Sequence, residues 1–582
     1  MIRKTIYALF VAVLLLSCED QLDRFPKDTM TPETFFTTRN ECEMYTNEFY
    51  PMFPGGGDIY GESADVIVKN VLSDEVAGRR YPSATSSSWN FDYLRDINFF
   101  LEHSDNCKDE KVRLEYEGLA RFFRAYFYFE KVKRYGDVPW LDKTLLSDDQ
   151  ELYKERDSRE FVMTKVLEDI NFAIDNLPEE KSIYRVTRWT ALALKSRIFL
   201  FEGTYRKYHG LDDYQTCLEN SVDAATIFIK TSGYKIYTEG VNPYLNLFSS
   251  LKANETEIIL ARAYNTSIGL AHNVNGYVAS TTGGRPGMTR NVANMYLMRN
   301  GTPYTQQSNW ETNTFVDECA NRDLRFKQTV RTTDYKRIDG SQLVAPDLSR
   351  SMTGYTLVKY ATSEKYDSYN ASMNDLPLFR TAEVYLNLAE AKAELGTLTQ
   401  DDINQTIKPL RDRAGVVNLD MEAANSNPDP YLSDATTGYA NVSGANSGVI
   451  LEIRRERTVE LIMEGFRYWD IMRWKEGQRF EFDFLGLYFP EPGVYDLNGD
   501  GTNDVCLYTG TKPDYGSSVN YFELDKDIIL SEGSSGYVKV HGDIIRKWID
   551  PRDYLYPVPT DDRVLTNGGI SQNPGWNDGL PF

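Results

Sequence analysis

The chain has 582 residues, and its 86 acidic residues outnumber its 64 basic ones, which gives a formal net charge of −22 at pH 7. Such an acidic surface repels phosphate backbones, and no cluster of Lys and Arg offsets it, so nucleic acid is excluded as a partner. The length would allow several domains. Because no Pro-, Ser- or Gly-rich linker divides the chain, we predict one large domain over residues 18–582.

The first residues have the pattern of a lipoprotein export signal. Arg3 and Lys4 form a basic start, an apolar run of eleven residues follows over 6–16, and Ser17 precedes Cys18. The run is too short to span a membrane, which takes roughly 20 residues. We predict that residues 1–17 are removed, that Cys18 carries lipid chains such as palmitate, and that the mature chain, without the two basic residues, has a net charge of −24. A secretory signal with an incidental cysteine is the alternative.

Seven segments have the periodicity of amphipathic or buried helices. The three strongest are Leu119–Lys133, Thr187–Glu202 and Ala382–Leu395, and the glycines at 136, 203 and 396 are expected to end them. The four weaker ones are Trp89–His103, Arg159–Asn176, Tyr214–Lys230 and Leu451–Trp474.

These helices concentrate in two stretches, 90–232 and 376–476, while 234–375 and 480–582 are rich in turn-forming residues. Alanines at the expected crossings favour close helix pairs of the tetratricopeptide kind, although no 34-residue period is present. We therefore predict a mainly α fold in which tetratricopeptide-like helix pairs form a scaffold and a loop-rich, irregular part carries short strands. Ordered loops on a rigid scaffold often carry binding sites.

Five cysteines remain once Cys18 is set aside, and they lie far apart. No pair has Cys-x-x-Cys spacing, which argues against a zinc or redox site. We expect buried thiols, with at most one disulfide, at Cys42, Cys107, Cys217, Cys319 and Cys506.

Motifs along the chain carry a resemblance to a known family. They are the lipoprotein start, FFRAY at 122–126 with RYGDVP at 134–139, RTAEVY at 380–385 with AEA at 389–391, ERTVEL at 456–461 with EGFRYWD at 464–470, and YPVP at 556–559 with QNPGW at 572–576. In this order they resemble the SusD/RagB family of outer-membrane nutrient-binding lipoproteins. The long loop regions carry no such match.

The resemblance implies a lipid-anchored protein on the cell surface that captures oligosaccharide and delivers it to a SusC-like TonB-dependent transporter. The acidic pair Glu19-Asp20 resembles the surface-export pattern of such lipoproteins, and Gln21–Pro26 would then act as a hinge. A minority of family members handle peptides, so peptide capture is an alternative.

No catalytic motif stands out. The four histidines are scattered, and the chain lacks His-Glu-x-x-His, Gly-x-Ser-x-Gly and phosphate-binding glycine motifs. Carboxylate pairs for glycoside hydrolysis meet in space rather than in sequence, so a surface glycosidase stays open as a third alternative. Glu456, Arg457 and Glu460 lie three and four residues apart on a helix and are assigned to structural ion pairs. We predict a protein without enzymatic activity.

Exposed aromatic rings are the expected partners of sugar faces, and aromatic residues form 13% of this chain, more than packing requires. We predict that Trp89 and Trp310 are the platforms, and that Trp140, Trp189, Trp469, Trp474 and Trp576 serve packing. Asp74, Arg80 and Tyr81 join the candidates because their segment resembles one where some family members place polar sugar contacts, and Tyr296 and Tyr304 are added beside Trp310. The alternatives are a helix staple for Trp89, an ordinary cap for Asp74, and packing roles for Trp310, Tyr296 and Tyr304.

The segment 496–504 has most of the features of a calcium loop. Oxygen-bearing side chains occupy positions one, three, five and nine, and Gly501 at position six permits a tight turn. Leu507 stands at position twelve, where an EF-hand supplies a glutamate, so another part of the chain would have to complete the shell. No cofactor is required by the predicted function, and the expected ion is a structural Ca²⁺ held by Asp496, Asn498, Asp500, Thr502 and Asp504. The alternative is an Asn/Asp/Gly-rich turn.

Overall fold

A computed structural model describes residues 35–582, so the predicted signal peptide, Cys18 and the hinge segment lie outside the described residues. The ten principal helices, in chain order, are α1 Arg39–Asn47, α2 Asp92–His103, α3 Glu110–Tyr135, α4 Arg159–Asn176, α5 Arg188–His209, α6 Tyr214–Thr231, α7 Thr381–Leu395, α8 Gln400–Ala414, α9 Ser447–Glu460 and α10 Arg467–Arg473. Between residues 35 and 582, no helix has both the length and the apolar composition that a membrane span requires.

Helix ends follow the local capping residues in most places. Asp109 accepts from the amide of Val112 at 3.2 Å at the start of α3, and Gly136, with φ 71°, ends that helix. Gly396 ends α7 in the left-handed conformation, as predicted. The predicted end at Gly203 is wrong, because α5 continues to His209 and Gly203 lies inside it.

The scaffold is a row of helices, each packed on its neighbours along the chain. α3 packs on α4, α5 packs on α6, and α7 packs on α6 as well as on α8 and α9. Close approach depends on small residues: Ala382, Ala389 and Ala391 of α7 are fully buried. The predicted mainly α class with tetratricopeptide-like pairs is confirmed.

One prediction about an individual helix is wrong, and one helix was missed. The segment Leu451–Trp474 is not one helical stretch, since Met463 and Gly465 take positive φ values of 62° and 78° and separate α9 from α10. In addition, α8 was not predicted, and Pro409 lies within it.

Nine short strands lie outside these helices: β1 Ile67–Val68, β2 Ile258–Arg262, β3 Gly287–Met288, β4 Leu376–Arg380, β5 Phe484–Phe489, β6 Gly493–Tyr495, β7 Val505–Tyr508, β8 Asn520–Glu523 and β9 Gly536–Val540, this count covering residues 35–582 only. β1 pairs with β3, β2 with β4, β5 with β9 and β6 with β7, all antiparallel, while β7 and β8 are parallel. β4 leads directly into α7, which ties the loop-rich part to the scaffold.

Short helices fill the rest of these regions. The α-helical ones are Gly56–Tyr60, Asp74–Ala77, Pro243–Ser249, Val274–Ala279, Arg290–Ala293, Phe315–Glu318, Leu324–Thr329, Met421–Ser426, Pro430–Ser433 and Thr560–Leu565. Single 3₁₀ turns occur at Tyr50–Met52, Ser87–Trp89, Ser104–Asn106, Gln150–Tyr153, Thr266–Ile268, Tyr304–Gln306, Glu364–Tyr366, Gly477–Glu481 and Arg552–Tyr554.

Apolar side chains form two large clusters. One draws on residues from Ile59 to Tyr554 and fills the loop-rich part together with α9 and α10, and the other draws chiefly on α2 to α6. All five cysteines of the described range are free thiols, and Cys319 is half-buried while the other four are buried.

Candidate functional site

Trp89, the first predicted platform, is buried. Its side chain is 5% exposed and packs edge-on against Tyr135, with ring centroids 4.6 Å apart, and against Phe91 at 5.5 Å. It lies in a 3₁₀ turn just before α2. With both ring faces inside the protein it cannot stack on a sugar, so the platform prediction is corrected to the alternative packing role.

Arg80 is also a structural residue. Its guanidinium lies over the rings of Tyr556, Trp576 and Trp548, at 4.6, 5.6 and 5.8 Å from the centroids. It also donates to the carbonyl of Asp553. The Arg80 side chain therefore connects the segment before α2 to the C-terminal motifs at 556–559 and 572–576. The prediction that Arg80 contacts a sugar is corrected.

Asp74 and Tyr81, in contrast, are accessible. Tyr81 is 69% exposed. Asp74 lies in the first turn of its helix, where Ser73 rather than Asp74 is the N-cap, and it pairs with Arg79 at 3.3 Å. Both remain predictions as ligand contacts.

Tyr296 and Tyr304, which were predicted beside Trp310, are both buried. The Tyr296 hydroxyl donates to Thr329 Oγ1 at 3.0 Å, and the Tyr304 ring lies 3.9 Å from the guanidinium of Arg322. Burial raises the pKa of Tyr304 to about 12. Tyr304 supports the Trp310 loop from inside by donating to the carbonyl of Trp310. Burial of both side chains corrects their assignment as ligand contacts.

Trp310, the second predicted platform, is half-buried. Its ring meets that of Tyr431 edge-on, with centroids 5.9 Å apart. The carbonyl of Trp310 accepts from Arg290 Nη2 at 2.8 Å and from the Tyr304 hydroxyl at 3.3 Å. The indole is thus carried on a backbone that a buried guanidinium holds in place.

Two further tyrosines extend this region. Tyr537 of β9 donates from its hydroxyl to the carbonyl of Glu311, beside Trp310, at 2.7 Å, and the Arg290 guanidinium lies 4.3 Å from its ring centroid. Tyr488 of β5 is the direct cross-strand partner of Tyr537, with centroids 5.6 Å apart. We call the half-buried side chains of Trp310, Tyr431, Tyr488 and Tyr537 the aromatic surface.

Sequence reasoning missed the three tyrosines of the aromatic surface, because 39 tyrosines occur in the chain. One usable signal was present: β9 alternates buried Gly536, Val538 and Val540 with half-buried Tyr537 and Lys539, and such a period of two indicates a strand with one outward face.

A large concave feature lies elsewhere, between the chain before α2 and the first half of the scaffold. This cleft of about 680 Å³ is lined by residues that include Pro54, Asp58, Tyr93 and Lys131, and it adjoins an inner cavity of about 210 Å³ that reaches Trp469. Its ionic groups are largely paired; Glu130, for example, contacts Lys133 at 2.5 Å and Arg134 at 2.7 Å. Trp310 does not line it.

The loop 496–504 forms a closed turn. Asp496 accepts from the amides of Gly499 at 2.6 Å and Gly501 at 2.7 Å, and Asp504 accepts from the amide of Leu497 at 2.7 Å. Asp500 likewise accepts from the amide of Thr502, at 2.8 Å. Within residues 35–582, no three His, Cys, Asp or Glu side chains gather in a way that could hold a metal ion. These contacts fit an Asn/Asp/Gly-rich turn, and the structural Ca²⁺ at this loop stays a prediction.

The groups considered for catalysis are engaged in structure. Glu456 and Glu460 are buried in ion pairs with arginines, and Arg457 pairs with Asp470 at 2.8 Å, as predicted. Each of the four imidazoles contacts a backbone carbonyl.

Comparison with protein-family models gives two matches. A model described as the SusD family matches residues 254–576, which is more than half of the chain, and a model described as "Starch-binding associating with outer membrane" matches residues 64–200.

Individual proteins are similar over most of their length. SusD-like protein P38 of Formosa agariphila is 23% identical over 498 residues, which cover 79% of this chain and 88% of that protein. Among solved structures, a SusD-like protein from Bacteroides fragilis superposes with a TM-score of 0.67 at 22% identity, covering 93% of this chain and 98% of that one. A SusD-like carbohydrate-binding protein from the same species gives a TM-score of 0.64 at 18% identity, covering 91% and 99%. These structures share the fold.

Proposed function

Because the chain belongs to the SusD family, we propose that it is a non-enzymatic glycan-binding protein of the cell surface. The observation that carries this proposal is the aromatic surface, in which the half-buried rings form two pairs, Trp310 with Tyr431 and Tyr488 with Tyr537, linked by the hydrogen bond from Tyr537 to the carbonyl of Glu311. Aromatic rings stack on the apolar faces of sugars, and neighbouring polar groups can bind the hydroxyls. A carbohydrate-binding protein of similar fold supports the same assignment.

The place of this function in the cell follows from the family and the N-terminal sequence. We propose that Cys18 is lipidated and holds the domain at the outer membrane, and that captured oligosaccharide passes to a SusC-like TonB-dependent transporter. The family-model description that mentions association with the outer membrane supports this placement.

Replacement of Trp310 tests the proposed site. Affinity electrophoresis of the purified protein on a panel of neutral and acidic polysaccharides identifies a ligand, and titration calorimetry with oligosaccharides of that polysaccharide gives the affinity. Trp310→Ala should weaken binding about 10-fold, or about 1.4 kcal/mol, because it removes a stacking face. Tyr369→Ala is the matched control, since Tyr369 is an exposed aromatic outside the aromatic surface, and its affinity should equal that of the wild type.

Two results would contradict the proposal. If no polysaccharide of the panel retards the protein, glycan capture is wrong. If a ligand is found but Trp310→Ala and Tyr537→Ala both bind it with wild-type affinity, the aromatic surface is not the site. Release of reducing sugar from any of the polysaccharides would instead indicate an enzyme.

A further inference from the structure

A second, polar pocket of about 440 Å³ lies in the loop-rich part, between the loop 331–350 and the sheet strands around 504–520. Its volume falls within the range of about 300–1,000 Å³ that small-molecule sites usually have. Three arginines line it, Arg331, Arg337 and Arg350, together with Tyr335. We call it the arginine pocket.

Most charges of the arginine pocket are already paired. Arg337 contacts Asp367, and Arg350 Nε lies 3.0 Å from Asp347 Oδ2. The carboxylate of Asp504 accepts from the amide of Leu497 at 2.7 Å and so is engaged with its own loop.

Arg331 is the exception. Its side chain is 5% exposed, and Nη1 donates to the carbonyl of Ala345 at 3.2 Å, but Nε has no partner. Among residues 35–582, no carboxylate lies within 4.0 Å of its guanidinium. The fourth carboxylate of the lining, Glu364, is exposed and does not pair with it.

Burial of a guanidinium without a counter-charge is energetically unfavourable. Other buried arginines of this protein are neutralised by nearby carboxylates. Arg325, Arg380 and Arg413 each contact two or more carboxylates. Burial lowers the pKa of Arg331 and the charges of Arg350 and Arg337 lower it further, whereas Tyr335 and Asp347 act in the opposite direction; an arginine stays protonated at neutral pH. Arg331 thus brings to the pocket a charged guanidinium that forms no ion pair among the described residues and whose Nε–H has no acceptor there.

We propose that the arginine pocket binds an anionic group, a carboxylate or a sulfate, carried by a sugar unit of the captured glycan. A guanidinium presents a planar fork of N–H donors that fits both anions in a bidentate manner. Tyr335, Ser518 and Asn520 line the same pocket and supply groups for sugar hydroxyls. The inference rests on the proposed glycan-binding function and narrows it to acidic glycans.

Small anions test the pocket without any knowledge of the natural glycan. Thermal unfolding of the full mature chain is measured with sodium glucuronate, glucose 6-sulfate or glucose, each at the same ionic strength set with sodium chloride. Glucuronate or glucose 6-sulfate should raise the Tm in a saturable manner and glucose should not, and the stronger of the two anions identifies carboxylate or sulfate as the preferred group. Arg331→Gln should abolish the shift.

Arg546→Gln is the matched control. Arg546 is half-buried, donates to the carbonyls of Phe480 and Phe482 and pairs with no carboxylate among the described residues, but it does not line the arginine pocket. This variant should keep the wild-type anion response. Arg350→Gln serves as the second variant if Arg331→Gln does not fold, because the half-exposed Arg350 should be replaceable; it should weaken anion binding several-fold.

The outcomes separate this inference from the proposed function. With oligosaccharides, Arg331→Gln should lose at least 10-fold in affinity for an acidic ligand and keep its affinity for a neutral one, whereas Trp310→Ala should weaken both. No anion response in the wild type, or an unchanged response in Arg331→Gln and Arg350→Gln, overturns the pocket while leaving neutral glycan binding intact. An Arg331-dependent anion response without binding of any glycan supports the pocket and contradicts the proposed function.

Discussion

His209 shows how the surroundings of one residue set its contribution to stability. Its imidazole stacks on Tyr205 at the end of α5, with centroids 3.9 Å apart, and donates from Nε2 to the carbonyl of Met472 at 2.9 Å. Burial lowers its pKa from 6.5 to about 4.

This lowered pKa predicts a pH dependence of unfolding. Above pH 6.5 His209 is neutral in both states and its stabilising effect is complete. As the pH falls towards 4 the unfolded chain gains the proton first, so stability is lost, by about 3 kcal/mol in total.

Urea unfolding between pH 7.5 and 4 should show a smaller loss of stability for His209→Gln than for the wild type. Burial raises the pKa of Glu62 to about 7, so protonation of Glu62 favours the folded state as the pH falls. This contribution is the same in the wild type and in His209→Gln, and it therefore cancels when their losses are compared. Equal losses would show that His209 is not the group responsible.

Residue type alone did not decide which tryptophans are accessible. Trp89 and Trp310 were both predicted as platforms on the same chemical grounds, yet only Trp310 is half-buried rather than buried. The difference comes from partners distant in sequence, such as Tyr135 for Trp89. The burial of Arg80 likewise depends on distant residues, because its contacts in the C-terminal part lie more than 450 residues away in sequence.

At the scale of single elements, glycine has two structural roles that the sequence alone does not distinguish. Gly136 and Gly396 end helices with positive φ values, whereas Gly203 lies inside α5 where that helix crosses α6. A Cβ at Gly203 would lie 2.6 Å from Leu218 Cγ and 2.7 Å from Leu218 Cδ2. Here glycine provides a close approach between helices.

Gly203→Ala should therefore destabilise the protein although alanine favours a helix. The gain in helix propensity is about 1 kcal/mol, and overpacking a core costs about 1–3 kcal/mol, so we expect a net loss near 1 kcal/mol in urea unfolding. Leu218→Ala should cost less in the Gly203→Ala background than in the wild type, because it removes the two shortest contacts of the clash and leaves only the Leu218 amide nitrogen, at 3.0 Å. Gly118→Ala in α3 is the control, since its nearest contact would be an ordinary 3.4 Å; it should be neutral or stabilising. Additive effects of the two substitutions at 203 and 218 would rule out the clash.

The whole molecule is held together by buried ion pairs that link distant parts of the chain. Glu460 of α9 contacts Arg380 at the end of β4 at 2.7 Å, Arg325 at 2.9 Å, and Arg413 near the end of α8. Although burial raises it, these three guanidinium groups hold the pKa of Glu460 well below its ordinary value. One carboxylate thus joins the scaffold to the loop-rich part.

Removal of the Glu460 charge should lower the free energy of unfolding strongly. Glu460→Gln leaves three buried guanidinium groups with one counter-charge fewer, and breaking a buried ion pair typically costs about 3–5 kcal/mol. Asp412→Asn is the control, because Asp412 pairs with Lys408 at the surface and such pairs contribute about 0–1 kcal/mol. Urea unfolding of both variants gives the comparison. A loss for Glu460→Gln no larger than for Asp412→Asn would show that the network does not hold the parts together.

Short-range features of the sequence were sufficient to predict the mainly α class, the positions of most scaffold helices and the family. Periodicity acts over three to four residues and capping over one helix turn, so both are present in a local segment. Exposure of the tryptophans, the partners of the buried charges and the absence of an ion pair at Arg331 could not be predicted in this way. They depend on which residues the fold brings together from distant positions in the sequence, as in the contact between Arg380 and Glu460.

The sequence by itself thus determined what kind of protein this is. The tertiary structure decided which side chains remain available to a ligand, because only folding determines which of them find a partner inside the protein.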